Sequence, residues 1–176
     1  MKKILFSGFG GQGVMTLGQM VAIMAMKQQK QVSWMPSYGA EMRGGTANCS
    51  AVISDVEIGN PYVNGHIDIL CAMNKPSLDK FIKRVKTGGT VVLNSSLIKE
   101  SIPRNDVRVI PIDATAIASE LGHSKTQNMA MLGGIMKATS LFSLTHVEQV
   151  LLELLGKKNP KLIPLNLEAV KAGLMS

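Results

Sequence analysis

The sequence predicts a single α/β domain over residues 1–176, organised as a three-layer α/β/α sandwich around a mostly parallel sheet. Short apolar runs typical of buried strands alternate with longer stretches in which apolar residues recur every three or four positions, as on one face of a helix. Strands that alternate with helices pair in parallel, because each helix returns the chain to the same end of the sheet. A length of 176 residues is enough for one sizeable core, and no internal repeat or linker divides the sequence.

The first half of the chain contains most of the predicted strands. Val14–Met26 is predicted to be a helix, because its apolar residues recur at helical spacing. Three strands in a row after this helix indicate that part of the sheet is antiparallel, so we expect a mixed sheet. The predicted strands of this half are Lys3–Ser7, Gln31–Trp34, Thr46–Ser54 and Ile67–Met73.

The second half is predicted to be mainly helical, with two further strands at Thr90–Asn94 and Val107–Ile110. Polar residues that favour helix N-termini and glycines that favour helix ends set the boundaries. A glycine pair, Gly133-Gly134, is expected to let its helix pack closely on a neighbour. The predicted helices run from Pro76 to Val85, from the Asp113 cap to Gly122, from Asn128 to Leu141, from the Ser143 cap to Gly156, and from Asn166 to Ala172.

A glycine-rich turn, GFGGQG at residues 8–13, directly follows the first strand and opens the first helix. The pattern G-x-G-x-x-G fits Gly8, Gly10 and Gly13, and backbone N–H groups at such a turn attract a phosphate or carboxylate. A dinucleotide site also uses an acidic residue roughly 20 positions later, whereas residues 31–35 read QVSWM. Three interpretations stay open: a dinucleotide site, a structural turn that lets another chain approach, and an anion site for a different ligand.

A second unusual loop, MPSYGAEMRGG, occupies residues 35–45. It contains Tyr38, Glu41 and Arg43 among glycines and a proline, and a loop of this kind often binds something. Arg43 can form two hydrogen bonds with a phosphate or carboxylate, with Glu41 orienting it. The alternative is an exposed Glu/Arg pair without a ligand.

The sequence contains no set of residues that predicts catalysis or a metal site. Cys49 and Cys71 are too few for a protein-held iron–sulfur cluster, and we expect two reduced, buried thiols. His66, His123 and His146 are isolated from one another in the sequence, so each is expected to be a surface or cap residue. A Walker motif and a nucleophile elbow are also missing.

The net charge of +7 favours an anionic partner of some kind. The lysines are scattered and aromatic residues make up only 4%, which argues against nucleic-acid binding. No apolar stretch is long enough to cross a bilayer, and the apolar run after Met1 is too short for a signal peptide. We therefore expect a cytoplasmic protein without a membrane span.

Five blocks of the sequence together resemble the gamma subunit of 2-oxoacid:ferredoxin (acceptor) oxidoreductases. The resemblance runs in register over nearly the whole chain, and the combination of blocks is far more specific than the glycine motif alone. The blocks are GFGGQGVMTLGQM at 8–20, PSYGAEMRGGTANC at 36–49, AMNKPSLDKF at 72–81, GGTVVLNSS at 88–96 and NMAMLGG at 128–134.

This resemblance implies a subunit that works with partners. In the family, alpha and beta subunits carry thiamine diphosphate and Mg²⁺, and iron–sulfur clusters lie on the beta chain or on a ferredoxin-like delta subunit. The assembled enzyme converts a 2-oxoacid to its acyl-CoA and passes electrons to ferredoxin or a similar acceptor. The gamma part is a Rossmann-like domain that contributes to the coenzyme A region and holds the complex together, so the isolated chain is expected to hold no cofactor and to be inactive.

The resemblance also identifies candidate site residues. The glycine turn and Arg43 are expected to face the alpha and beta chains and an anionic group of coenzyme A. The residues that match the family's glycine turn are Gly8, Gly10, Gly11, Gln12 and Gly13, and those expected at subunit interfaces are Tyr38, Gly39, Glu41, Gly44, Gly45, Asn74 and Asn128.

The block at 36–49 bears on the substrate. Its reading SYGAEMRGGTA is similar to gamma chains of 2-oxoglutarate or branched-chain 2-oxoacid enzymes, whereas pyruvate enzymes favour GPERRGAP. Met42 and Gly45-Thr46 depart from the pyruvate pattern, so 2-oxoglutarate is the favoured substrate.

Two other functions are compatible with a basic α/β domain: a free-standing NAD(P)-dependent reductase and an RNA-binding domain. A subunit removed from its partners exposes apolar area. A homodimer of the isolated chain is therefore compatible with the resemblance.

Overall fold

The computed structural model describes residues 1–37, 46–63 and 65–176, and in this part of the chain a six-stranded sheet lies between helices on both of its faces. The strands are β1 (Lys2–Phe9), β2 (Gln31–Ser37), β3 (Thr46–Ser54), β4 (Ile67–Ala72), β5 (Val85–Asn94) and β6 (Arg108–Ile112). The helices are α1 (Val14–Lys27), α2 (Lys75–Phe81), α3 (Ala114–Glu120), α4 (Gln127–Thr139), α5 (Leu144–Leu155) and α6 (Leu162–Met175), with short 3₁₀ turns at Ile82–Arg84 and Ser124–Thr126.

The sheet has the strand order β2-β3-β1-β4-β5-β6. Strands β1, β4, β5 and β6 run parallel, whereas β3 is antiparallel to both of its neighbours, β1 and β2. The predicted three-layer sandwich with a mostly parallel, mixed sheet is therefore confirmed. In the described ranges, no helix is both long and apolar enough to cross a bilayer.

One face of the sheet carries the larger core. Helices α1, α3, α4, α5 and α6 all contribute side chains to it, and Phe6 of β1 lies at its centre with no exposed surface. The alternation in β3 directs Cys49, Ala51 and Ile53 to this face and Val52 to the other, as a period of two requires. The opposite face is covered by α2, the 3₁₀ turn that follows it and nearby loops.

Helices α4 and α6 touch backbone to backbone through glycines. A Cβ atom added at Gly133 would lie 2.4 Å from the carbonyl oxygen of Val170 in α6, and one added at Gly173 would overlap the carbonyl oxygen of Ala130. Gly134 faces the other way, where a Cβ would lie 2.6 Å from a methyl carbon of Val92 in the sheet. The expectation that this glycine pair allows close packing is confirmed, and the pair serves two neighbours at once.

The predicted boundaries around β5 were wrong. The helix predicted to reach Val85 ends at Phe81 and tightens into a 3₁₀ turn, because Val85 already pairs with Ile67 in the sheet. The Gly88-Gly89 pair lies inside β5 instead of before it. Gly88 has a φ of 73°, which lets the strand change register there without strain.

Two further differences have simple causes. Strand β2 continues through Pro36 to Ser37, since β2 is an edge strand and pairs only with β3. Helix α6 begins at Leu162, four residues earlier than predicted, with Pro164 in its first turn, where a proline is tolerated.

The two predicted polar caps act differently. Ser143 and His146 form a capping box at the start of α5, with the Ser143 N–H donating to His146 Nδ1 at 3.1 Å. Asp113 lies at the start of α3, but its carboxylate accepts a hydrogen bond from Ser96 Oγ. The Ser96 Oγ in turn accepts from the backbone N–H of Thr115 at 3.2 Å, so Ser96 caps the helix in place of Asp113.

We expect the substitution Gly173→Ala to destabilise the protein by about 1–3 kcal/mol, because the new methyl group must force α4 and α6 apart. The measurement is the free energy of unfolding in urea. Gly59→Ala is the matched control, since a Cβ there meets nothing within 4 Å, and its effect should stay within about 0.5 kcal/mol. Equal stability of the two variants would contradict the close contact.

Candidate functional site

The candidate site lies at the carboxyl ends of β1 and β4, two neighbouring parallel strands. After β1 the chain crosses to the face covered by α1, and after β4 it crosses to the opposite face, where α2 packs. Connections that leave in opposite directions open a crevice between the strand ends, and open α/β sheets bind ligands at such a point. The glycine turn enters this crevice from β1, and Asn74 enters it from β4.

Two positions of the turn require glycine, because little space is left for a side chain and because one of them has a positive φ. A Cβ at Gly8 would lie 2.8 Å from both Gln12 Oε1 and Val14 Cγ2. Gly13 begins α1 with a φ of 75°, and a Cβ there would overlap the side chain of Asn128. Residues other than glycine would not fit at these two positions, because the backbone of the turn passes too close to neighbouring side chains.

The side-chain amide of Gln12 fills the crevice. Its Oε1 accepts hydrogen bonds from the Phe9 N–H at 2.7 Å and from Asn74 Nδ2 at 3.0 Å. Its Nε2 donates to the carbonyl oxygen of Met73 at 3.4 Å. One residue thus ties the glycine turn to the end of β4.

Asn74 connects the crevice to the opposite layer. It is the N-cap of α2, where its Oδ1 accepts from the Ser77 N–H at 2.9 Å, and it is only 2% exposed. The sequence predicted a helix start near Pro76 but missed this cap. An Asn two positions before a Pro is a signal that could have identified it.

Asn128 holds the turn from the other side. It lies in the first turn of α4, is 6% exposed, and donates from Nδ2 to the Gly13 carbonyl oxygen at 3.4 Å. Gln12, Asn74 and Asn128 thus lie around the same turn, a grouping that the sequence did not predict. Asn74 and Asn128 bond within the chain, and their place at subunit interfaces stays a prediction.

A shallow depression of about 240 Å³ lies against the turn. It is formed by the backbone of the turn, the first residues of α1 and Ala47 of β3, and none of the described residues that line it is acidic. The first turn of α1 also lacks acidic residues, and Gly13 offers no side chain to cap its N–H groups. Among the described residues, no acidic or capping side chain therefore occupies the positive end of the helix dipole, which attracts an anionic group.

Part of the second predicted block, residues 38–45, lies outside the described residues. This part contains Tyr38, Gly39, Glu41, Arg43, Gly44 and Gly45. Its two anchor points are described. Ser37 ends β2 opposite Asn48, and Thr46 begins β3 opposite Phe9 of the glycine turn. The described residues on either side of the 38–45 segment, Ser37 and Thr46, therefore lie at the end of the sheet where the depression lies.

The two cysteines are inert in the folded protein. Both are free and buried. Cys49 on β3 and Cys71 on β4 are the neighbours of Phe6 on the two adjacent strands. Burial raises the pKa of the Cys49 thiol to about 12 and raises the pKa of Cys71 as well. Both thiols are protonated near neutral pH, so neither is a nucleophile or a metal ligand there.

Comparison with known proteins agrees with this architecture. Residues 3–176 match the family model described as pyruvate ferredoxin/flavodoxin oxidoreductase. The gamma subunit of a keto/oxoacid ferredoxin oxidoreductase from Geobacter sulfurreducens has a similar crystal structure, with a TM-score of 0.85 and 26% identity over 99% of this chain and 97% of that one.

Two curated relatives extend the comparison. Ketoisovalerate oxidoreductase subunit VorA of Methanothermobacter marburgensis is 37% identical over 173 residues, which are 97% of this chain but 35% of VorA. This chain therefore spans about a third of the length of that relative. The 2-oxoglutarate synthase subunit KorC of Methanocaldococcus jannaschii is 34% identical over 159 residues, which are 89% of this chain and 84% of KorC. The chain belongs to the pyruvate ferredoxin/flavodoxin oxidoreductase family.

Proposed function

We propose that this chain is the gamma subunit of a 2-oxoacid:ferredoxin (acceptor) oxidoreductase. The observation that carries the proposal is its nearly full-length similarity to a separate gamma subunit, with both chains covered almost completely. In the proposed reaction a 2-oxoacid and coenzyme A yield CO₂, an acyl-CoA and a proton, while two electrons reduce two ferredoxins or equivalent acceptors. Thiamine diphosphate with Mg²⁺ supplies the decarboxylation chemistry and iron–sulfur clusters carry the electrons, all on the alpha, beta and ferredoxin-like delta chains.

The proposed contribution of this chain is to bind and orient coenzyme A. The open N–H groups of α1 beside Gly10 and Gly11 suit a phosphate group, and the depression next to them has no acidic lining residue in the described part of the chain. The ends of the segment that contains Arg43 lie at the same edge. A net charge of +7 adds a favourable field for a ligand with several phosphate charges.

A free-standing dinucleotide reductase has less support. The crevice between β1 and β4, where a dinucleotide would cross the sheet, holds the Gln12 amide and Asn74. Strand β2, whose end should supply the acid for a ribose, carries none between Gln31 and Ser37. No structural observation favours the RNA-binding alternative.

For the substrate we propose 2-oxoglutarate, because the sequence SYGAEMRGGTA at residues 37–47 resembles gamma chains of 2-oxoglutarate enzymes. The names of the relatives include a 2-oxoglutarate synthase subunit, a ketoisovalerate oxidoreductase subunit and a pyruvate/ketoisovalerate common gamma subunit, so the proposal rests on this sequence block. Comparing kcat/KM for 2-oxoglutarate, 2-ketoisovalerate and pyruvate in the assembled enzyme tests this choice.

The same assembly is proposed to bury Tyr38, Gly39, Glu41, Gly44 and Gly45 against the alpha and beta chains.

An affinity-tagged copy of the chain, expressed in its native host, should purify with a thiamine-diphosphate-binding chain and a ferredoxin-like chain in fixed ratio. Mass spectrometry and cofactor analysis of the purified material are the measurements. The complex should oxidise a 2-oxoacid only when coenzyme A is present, while the separated chain should not. Turnover by the separated chain would refute the proposal.

Replacing Arg43 by Ala should raise the KM for coenzyme A about 10- to 100-fold in the assembled enzyme, since a charge-assisted hydrogen bond contributes roughly 1.5–3 kcal/mol. Arg108→Ala is the matched control, because Arg108 is exposed on β6 at the far edge of the sheet. An unchanged KM with intact assembly would remove the ligand role of Arg43.

Gln12→Ala should weaken both stability and coenzyme A binding, because the Phe9 N–H and Asn74 Nδ2 lose their shared acceptor. We expect a loss of about 1–2 kcal/mol in the free energy of unfolding and a raised KM for coenzyme A. Gln19→Ala, on the exposed side of α1, is the control and should change neither quantity. Loss of stability with an unchanged KM would restrict Gln12 to a structural role.

A further inference from the structure

A second cavity lies away from the glycine turn, between α1, α5, α6 and the Ser124–Thr126 turn that leads into α4. We refer to it as the helix cleft. Its volume is about 300 Å³, at the lower end of the range for small-molecule sites. Its walls are apolar and consist of Met20, Met129, Leu151, Leu154, Leu155 and Leu162.

One end of the helix cleft is polar and positively charged. Among the described residues that line it, none is acidic, and Lys125 carries the one fixed charge. The backbone beside Lys125 is held in place, because the Thr126 N–H and Oγ1 both donate to the His123 carbonyl oxygen, at 3.0 and 2.8 Å. Lys125 is exposed and lines the cleft from this fixed turn.

His123 provides an independent observation at the same end. It lines the cleft, and its Nδ1 is buried without a hydrogen-bond partner in the structure. A buried polar atom without a partner is costly, and a rotation of the imidazole ring toward the cleft would let an oxygen atom of a ligand satisfy it. From the sequence we expected His123 to be a surface or cap residue, and no sequence motif identifies it as part of a binding site.

We propose that the helix cleft binds a small amphipathic carboxylate, with a short aliphatic chain between the methionine and leucine side chains and the carboxylate at Lys125 and His123. The apolar walls suit the chain, and the single positive charge suits a single negative one. A nucleotide is a poor fit, since no aromatic residue among the described lining offers a stacking surface. This ligand site is separate from the proposed coenzyme A region.

The two regions are nevertheless in contact. Asn128 lines the helix cleft and donates to the Gly13 carbonyl oxygen, and Thr16 lines both the helix cleft and the depression at the glycine turn. A ligand in the cleft therefore touches a residue that holds the turn. Occupancy of the cleft should change the environment of the α1 N-terminus as well.

The test is a titration of the full ¹⁵N-labelled chain with hexanoate, followed by amide chemical shifts. Saturable shifts should centre on the Ser124–Thr126 turn and α5 and extend to Gly13, with a Kd on the order of 1 mM for so small a ligand. Hexanamide, which has the same shape without the charge, should bind at least about fivefold more weakly. Equal binding of hexanoate and hexanamide, or shifts confined to other surfaces, would overturn the proposal.

Two substitutions test whether hexanoate binds in the helix cleft. Lys125→Gln should weaken hexanoate binding about fivefold or more, whereas Lys83→Gln, an exposed change on the 3₁₀ turn after α2, should leave it unaltered. Leu154→Phe fills the half-buried wall of the cleft and should abolish the shifts while the spectrum stays folded. Unchanged hexanoate affinity in folded Lys125→Gln and Leu154→Phe proteins would also overturn the proposal.

Discussion

The glycine turn after β1 depends on three amide side chains that hold it from different sides. Gln12 ties it to the end of β4, Asn74 bonds to Gln12 while capping α2, and Asn128 reaches Gly13 from α4. Since α2 and α4 lie on opposite faces of the sheet, the turn joins both helical layers. These contacts therefore hold in place the turn from which α1 begins.

This arrangement explains how a fold well suited to dinucleotides can serve another purpose. The crevice is closed by an amide from the chain itself, while the N-terminus of α1 stays open on the side of β3. An anionic group can approach the helix without crossing the sheet.

The sequence was sufficient for the architecture, and periodicity identified β3 with its observed bounds. The sequence also marked Gln12, Asn74 and Asn128 through the family blocks, but it did not show that they lie around one turn. It failed where tertiary pairing decides the local structure: Val85 joins the sheet through Ile67, some twenty residues earlier. It also failed to show that Ser96, distant in sequence, caps α3, or that His123 lines a cleft, since neither contact leaves a local pattern.

The burial of both cysteines beside Phe6 has a consequence for the chemistry of the proposed complex. A thioester product is an acyl donor, and an exposed thiolate close to it would be acylated in a side reaction. Because the pKa of Cys49 is raised to about 12 and that of Cys71 is raised too, neither thiol of this chain is a competing thiolate acceptor for such a product. In the proposed complex, the two buried thiols would therefore not react with an activated acyl group on a neighbouring chain.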